Sequence, residues 1–122
     1  MTVQELNNHG LIASQDQKDN LAKLADVITQ LETAYGKPFI VTSGLRSQVL
    51  QQSINPAVKN SAHITGEAVD MSDPDGAIYS FCIDNVDILI NLGVYVESRT
   101  YTPRWSHLTI RPPKSGNRFF IP

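Results

Sequence analysis

The chain has 122 residues, 41% hydrophobic and 18% charged, proportions that suit one folded domain and leave little room for a second. Ten basic and twelve acidic residues give a formal charge of −2 and a pI near 5.8, so no cationic surplus is available to hold a nucleic-acid backbone. No apolar run approaches the length of a membrane span, and a single cysteine, Cys82, excludes an internal disulfide.

The opening residues Met1-Thr2-Val3-Gln4-Glu5 lack the basic segment and apolar core of a secretory signal. Residues 1–13 are expected to form a loosely ordered leader to a single domain spanning 1–122, with His9 an exposed bystander. Ser14 and Gln17 have capping-box spacing. Leu21, Leu24, Val27, Ile28, Leu31 and Tyr35 then recur every three or four residues, which predicts an amphipathic helix ended by Gly36 and Pro38. Phe39-Ile40-Val41 reads as a short buried strand, Ser43-Gly44 as a turn, and residues 46–53 as a short helix.

Glu67 to Met71 alternates in strand fashion. Ser72-Asp73-Pro74 then signals a helix start, and Ala77, Ile78, Phe81, Val86, Leu89 and Leu92 mark its buried face up to Gly93. Cys82 lies within that apolar pattern and is expected to be a buried thiol, consistent with folding in a reducing compartment. Residues 93–98 and 105–110 predict two adjacent strands, and residues 117–121 a final edge strand. Asp73, Asp75 and Asp84 read as cap and surface acids, and Pro112 to Gly116 as a turn-rich loop at the rim of a cleft. The element order predicts an α+β domain with two main helices and a small, largely antiparallel sheet.

Within the segment Ser61-Ala62-His63-Ile64-Thr65-Gly66-Glu67-Ala68-Val69-Asp70, His63 stands at the entrance to a strand and Asp70 within it. His107 follows on a neighbouring strand. Two imidazoles and a carboxylate are the donors that a catalytic zinc ion uses, with the fourth position left to water. On spacing alone, the same three residues suit a loop histidine, a turn-facing acid and a strand histidine bonded to backbone. Gly66 permits a tight turn between the first two, and Glu67 stays unassigned.

Ser43-Gly44-Leu45-Arg46-Ser47, the segment 61–70 and Trp105-Ser106-His107 together resemble the M15 zinc peptidase family. Its members include D-alanyl-D-alanine carboxypeptidases, related dipeptidases and phage L-alanyl-D-glutamate endolysins, and the amino-terminal domain of hedgehog proteins shares the fold and zinc site. The resemblance covers roughly residues 39–110. It implies one zinc ion per chain held by His63, Asp70 and His107, with Arg46 stabilising the developing oxyanion of the scissile carbonyl. Ser61 matches a substrate-positioning serine, although a turn-capping serine explains it nearly as well. Trp105 is expected to pack beneath the site, with substrate stacking second.

Many members of the family place an acid three residues before the last histidine, where this chain has Arg104, which cannot accept a proton. Glu97 is the expected substitute as general base, since its strand resembles the glutamate-bearing strand of hedgehog proteins and some phage sequences. The implied activity is hydrolysis of D-Ala-D-Ala or L-Ala-D-Glu bonds in the stem peptides of peptidoglycan by a phage-type, monomeric enzyme. Such a protein is made in the cytoplasm and reaches the wall after release or within a virion. The alternative is a catalytically weak or inactive zinc-binding domain serving in binding or virion assembly.

Overall fold

A computed structural model describes residues 1–58 and 60–122. Its organising element is α2 (Gln15–Tyr35), started by a complete capping box between Ser14 and Gln17 and ended by Gly36 in the left-handed conformation. Leu21, Leu24, Ala25, Ile28 and Leu31 line its buried face. They pack into one core with Val69, Met71, Val96 and Leu108 from the sheet. Ile28 is fully buried there, so Ile28→Ala is expected to lower the unfolding free energy by about 2–5 kcal/mol in urea titration, through lost burial and the cavity left behind.

Among the described residues the sheet has five strands: β1 (Val41–Ser43), β2 (Ala68–Ser72), β3 (Tyr95–Glu97), β4 (Trp105–Thr109) and β5 (Phe119–Phe120). Their spatial order is β1-β2-β4-β3-β5, with β2 and β4 at the centre. The β1–β2, β2–β4 and β3–β4 pairs are antiparallel, as expected, and the final edge strand β5 runs parallel to β3. The first strand begins at Val41 rather than Phe39, whose ring is nonetheless buried in the core.

Two expectations about helices change. Residues 1–13 are not a loose leader: α1 (Val3–Leu6) is closed by a capping box from Thr2 to Glu5, and Leu6 is fully buried. The Met1 ammonium bonds Glu32 at 2.8 Å, and the Leu6 carbonyl accepts the Leu45 N–H at 2.8 Å. Four helical residues are too few to leave a periodic signal in sequence. The single helix expected after Pro74 is two, α5 (Ala77–Asp84) and α6 (Val86–Leu92), divided at Asn85.

Asp73 is a cap but no surface acid, being 2% exposed. Its carboxylate accepts the N–H groups of Ile78 and Tyr79 at 3.0 Å each and the Ser106 hydroxyl at 2.8 Å, tying the start of α5 to β4. Cys82 is buried as expected, and burial, helped by the nearby charge of Asp73, pushes its thiol up to about 12, which removes it as a nucleophile. Among the described residues no helix is long and apolar enough to cross a membrane.

Candidate metal centre

The two central strands set the first part of the site. In the β2–β4 ladder Asp70 is the register partner of His107. Side chains alternate between faces, so Val69, Met71 and Leu108 enter the core while Asp70 and His107 project from the opposite side. Val96 pairs with Leu108 in the β3–β4 ladder, so Glu97, one residue on, stands across from His107 on that same face.

His63 arrives by another route. It lies on α4 (Ala62–Thr65), not at the mouth of a strand, and Ser61 caps this helix by accepting the His63 N–H at 3.2 Å. Gly66 ends it at φ +82°, a conformation that disfavours any side chain. The His63 Nδ1 lies 2.9 Å from the Gly44 carbonyl oxygen. A carbonyl only accepts, so Nδ1 carries the proton and Nε2 presents its lone pair to the site. Gly44 is equally constrained: a Cβ there would fall 1.8 Å from the Leu6 carbonyl oxygen. Gly44→Ala is therefore expected to push α1 away, disturb the carbonyl that orients His63, and lower both thermal stability and metal affinity, read by calorimetry and metal titration.

His63 Nε2, Asp70 Oδ1 and His107 Nδ1 converge on one point. Asp70 Oδ1 lies 2.8 Å from His107 Nδ1 and 3.3 Å from His63 Nε2, and the two nitrogens are 3.3 Å apart. Tetrahedral zinc with ligand bonds of about 2.0–2.1 Å separates its ligand atoms by about 3.3–3.4 Å. Two of the three distances match that edge, and the third needs only a small opening. The donor set also calls for a cation, because the lone pair of neutral His63 faces a carboxylate oxygen with no proton between them. The residues fit zinc.

Electrostatics sharpen the point. Burial holds the pKa of His63 below the usual histidine value, outweighing the opposing pull of Asp70, so its approach to Asp70 is not an ion pair at neutral pH. Burial alone would raise the Asp70 pKa. The hydrogen bond and charge of His107, joined by those of His63 once acid has protonated it, overcome this and keep the carboxyl well below the ordinary carboxylate range. Both shifts act on stability in one direction. With its folded pKa depressed, His63 is protonated first in the unfolded chain, so stability falls as pH drops below about 6.5. Asp70, also depressed, contributes stability above about 3.9 and loses it as pH falls further. Chelator-treated protein is expected to show a lower urea midpoint at pH 5.5 than at pH 7.5, and equal midpoints would contradict this account of the cluster.

Arg46 reaches the site from the loop after β1. Its Nη2 donates to Asp70 Oδ2 at 2.8 Å, its Nη1 to Gln51 Oε1 at 3.0 Å and its Nε to Ser43 Oγ at 2.9 Å. The guanidinium thus holds one carboxylate oxygen while the other faces the two imidazoles. A cleft of about 520 Å³ opens above the cluster, lined by Arg46, Ser61, His63, Asp70, Glu97, Trp105 and His107. Every residue singled out as a ligand, base or substrate contact therefore borders one space. Arg104 is exposed and lies outside this lining. Burial raises the pKa of Glu97, and no described residue bonds its carboxylate.

Residues 1–84 match the family described as peptidase M15. The chain belongs to the peptidase M15 family. The match contains Arg46, Ser61, His63 and Asp70, whereas Glu97, Trp105 and His107 lie beyond it, on β3 and β4, and line the same cleft. M15 peptidases are zinc-dependent, and among the described residues His63, Asp70 and His107 form a group that could hold such an ion, their donor atoms lying within 4.8 Å of one another. No curated protein and no solved structure matches the chain.

Several residues of the cleft escaped the sequence reading. Gln51, 3% exposed on α3 (Gln48–Ile54), orients Arg46, and the Phe120 ring stands 6.1 Å from that of His107. A glutamine in a short polar helix and an aromatic near the chain end carry no motif; only their placement beside Arg46 and His107 marks them.

Proposed function

We propose that this M15 chain is a zinc-dependent peptidase hydrolysing peptide bonds in the stem peptides of peptidoglycan, of the D-Ala-D-Ala or L-Ala-D-Glu type. The observation that carries the reading is the convergence of His63 Nε2, Asp70 Oδ1 and His107 Nδ1 at the floor of a cleft that Glu97 also borders. Zinc held by these three residues supplies a Lewis acid and lowers the pKa of water towards neutrality.

The protein's own groups do the rest. Glu97, partly buried and free of hydrogen-bond partners among the described residues, takes the proton of the attacking water and returns it to the leaving amine. A raised carboxyl pKa brings its basicity nearer to neutral pH, where such transfer is most effective. Arg46 commits three donors to Ser43, Gln51 and Asp70, and a guanidinium has five N–H groups, so two remain available to the scissile carbonyl as its oxygen gains charge. Ser61 has an established part as the cap of α4, and its place in the lining lets it position substrate as well. Trp105 offers a flat apolar wall.

The test is incubation of purified protein with peptidoglycan, with and without chelator, followed by mass spectrometry of the muropeptides. Released peptides that vanish with chelator and return with zinc are expected, and their masses report the bond cut. A second reading, a zinc-binding domain without turnover, is motivated by Arg104 at the position where many relatives carry an acid. Complete absence of products from the zinc-loaded protein would favour it.

A further inference from the structure

The three proposed ligands are not held equally. Asp70 and His107 are register partners in the middle of the sheet, so the β2–β4 ladder fixes them to each other. His63 sits on a helix of four residues, too short to hold its own shape, and must be fixed from outside. One side of α4 is held by α2, where Gln17 Nε2 donates to the Ile64 carbonyl at 2.8 Å and Asn20 Nδ2 to the Thr65 carbonyl at 3.0 Å.

The other side is held by Arg111, two residues past the end of β4. Its Nη1 donates to the Asn60 carbonyl at 2.7 Å, just before the Ser61 cap. Its Nη2 donates to Thr65 Oγ1 at 2.8 Å and to Glu67 Oε1 at 3.0 Å, and its Nε to the same Glu67 oxygen at 3.2 Å. Thr65 Oγ1 in turn donates to Glu67 Oε1 at 2.6 Å. One planar guanidinium thus grips α4 at both ends and ties it to the strand that carries His107. Arg111 borders the cleft, but Glu67 neutralises its charge and these acceptors occupy most of its donors, so it is poorly suited to receive a substrate anion.

We propose that Arg111, acting through Thr65 and Glu67, is a positioning residue for His63, beside the Gly44 carbonyl that orients its ring, and tunes the affinity of the site for zinc. The inference rests on the zinc-site reading of His63, Asp70 and His107. Outer contacts that orient a ligand change metal affinity by about 10–100-fold when removed.

The experiment measures the zinc Kd of wild type, Arg111→Ala, Arg111→Lys and Thr65→Val by competition with a chromophoric chelator, and amide hydrogen exchange of residues 62–67 in the metal-free proteins. Arg111→Ala is expected to bind zinc about 10–100-fold more weakly and to exchange faster over that segment. Arg111→Lys should not restore affinity, because one ammonium cannot span Asn60, Thr65 and Glu67. Thr65→Val keeps the Arg111–Glu67 ion pair, and with it the fold should Arg111→Ala fail to fold, and is expected to weaken binding in the same direction. Wild-type affinity in both Arg111→Ala and Thr65→Val overturns the inference, even if melting temperature falls. Absence of zinc binding by the wild type overturns the underlying site reading instead, and is told apart by the wild-type titration alone.

Discussion

Glu97→Gln is expected to lower kcat for peptide hydrolysis by about 10²–10⁴-fold while zinc content and melting temperature stay at wild-type values. Glutamine fills the same space but cannot take a proton. No described residue bonds the Glu97 carboxylate, so the fold loses no partner by the change. A pH profile separates proton transfer from simple loss of shape. Burial raises the Glu97 pKa, and catalysis needs the ionised form, so wild-type kcat/KM should fall on acidification at a pH above the ordinary glutamate range. The residual activity of Glu97→Gln should lack that limb. Unchanged turnover in the variant would show that another group serves as base.

His107→Ala is expected to leave the purified protein without zinc after dialysis, against about one ion per chain for the wild type by elemental analysis. Of the three donors, His107 is half-buried at the cleft floor, whereas His63 is 2% exposed and bonded to Gly44, so the His107 change disturbs packing least. Catalytic activity should disappear with the metal. Zinc should also raise the melting temperature of the wild type, since an ion that binds only the folded chain stabilises it by mass action. His107→Ala should show no such rise. Full zinc occupancy in this variant would mean that the ion sits elsewhere.

What residue order determined by itself was whatever rests on local chemistry. The period of Leu21, Leu24, Ile28 and Leu31, the Ser14–Gln17 cap and the Gly36 stop specify α2 without reference to distant residues. The α+β class follows from the order of such segments. The grouping of His63, Asp70 and His107 was legible because motif blocks surround them, although 44 positions separate the first from the last.

Tertiary structure decided what depends on pairing across the chain. The β2–β4 register sets Asp70 opposite His107, and a shift of one residue would have turned either side chain into the core. The β3–β4 pair places Glu97 on that same face, a position that no count of residues before His107 could specify. Met1, Leu6 and Asp73 gave only local or misleading signals, since the groups that hold them are Glu32, Leu45 and Ser106, far away in sequence. The same holds for Arg111, whose partners at 60, 65 and 67 meet it only once the sheet has brought β4 beside α4. Local periodicity names an element, but geometry at a metal centre is set by long-range hydrogen bonds, which close only when the whole core has packed.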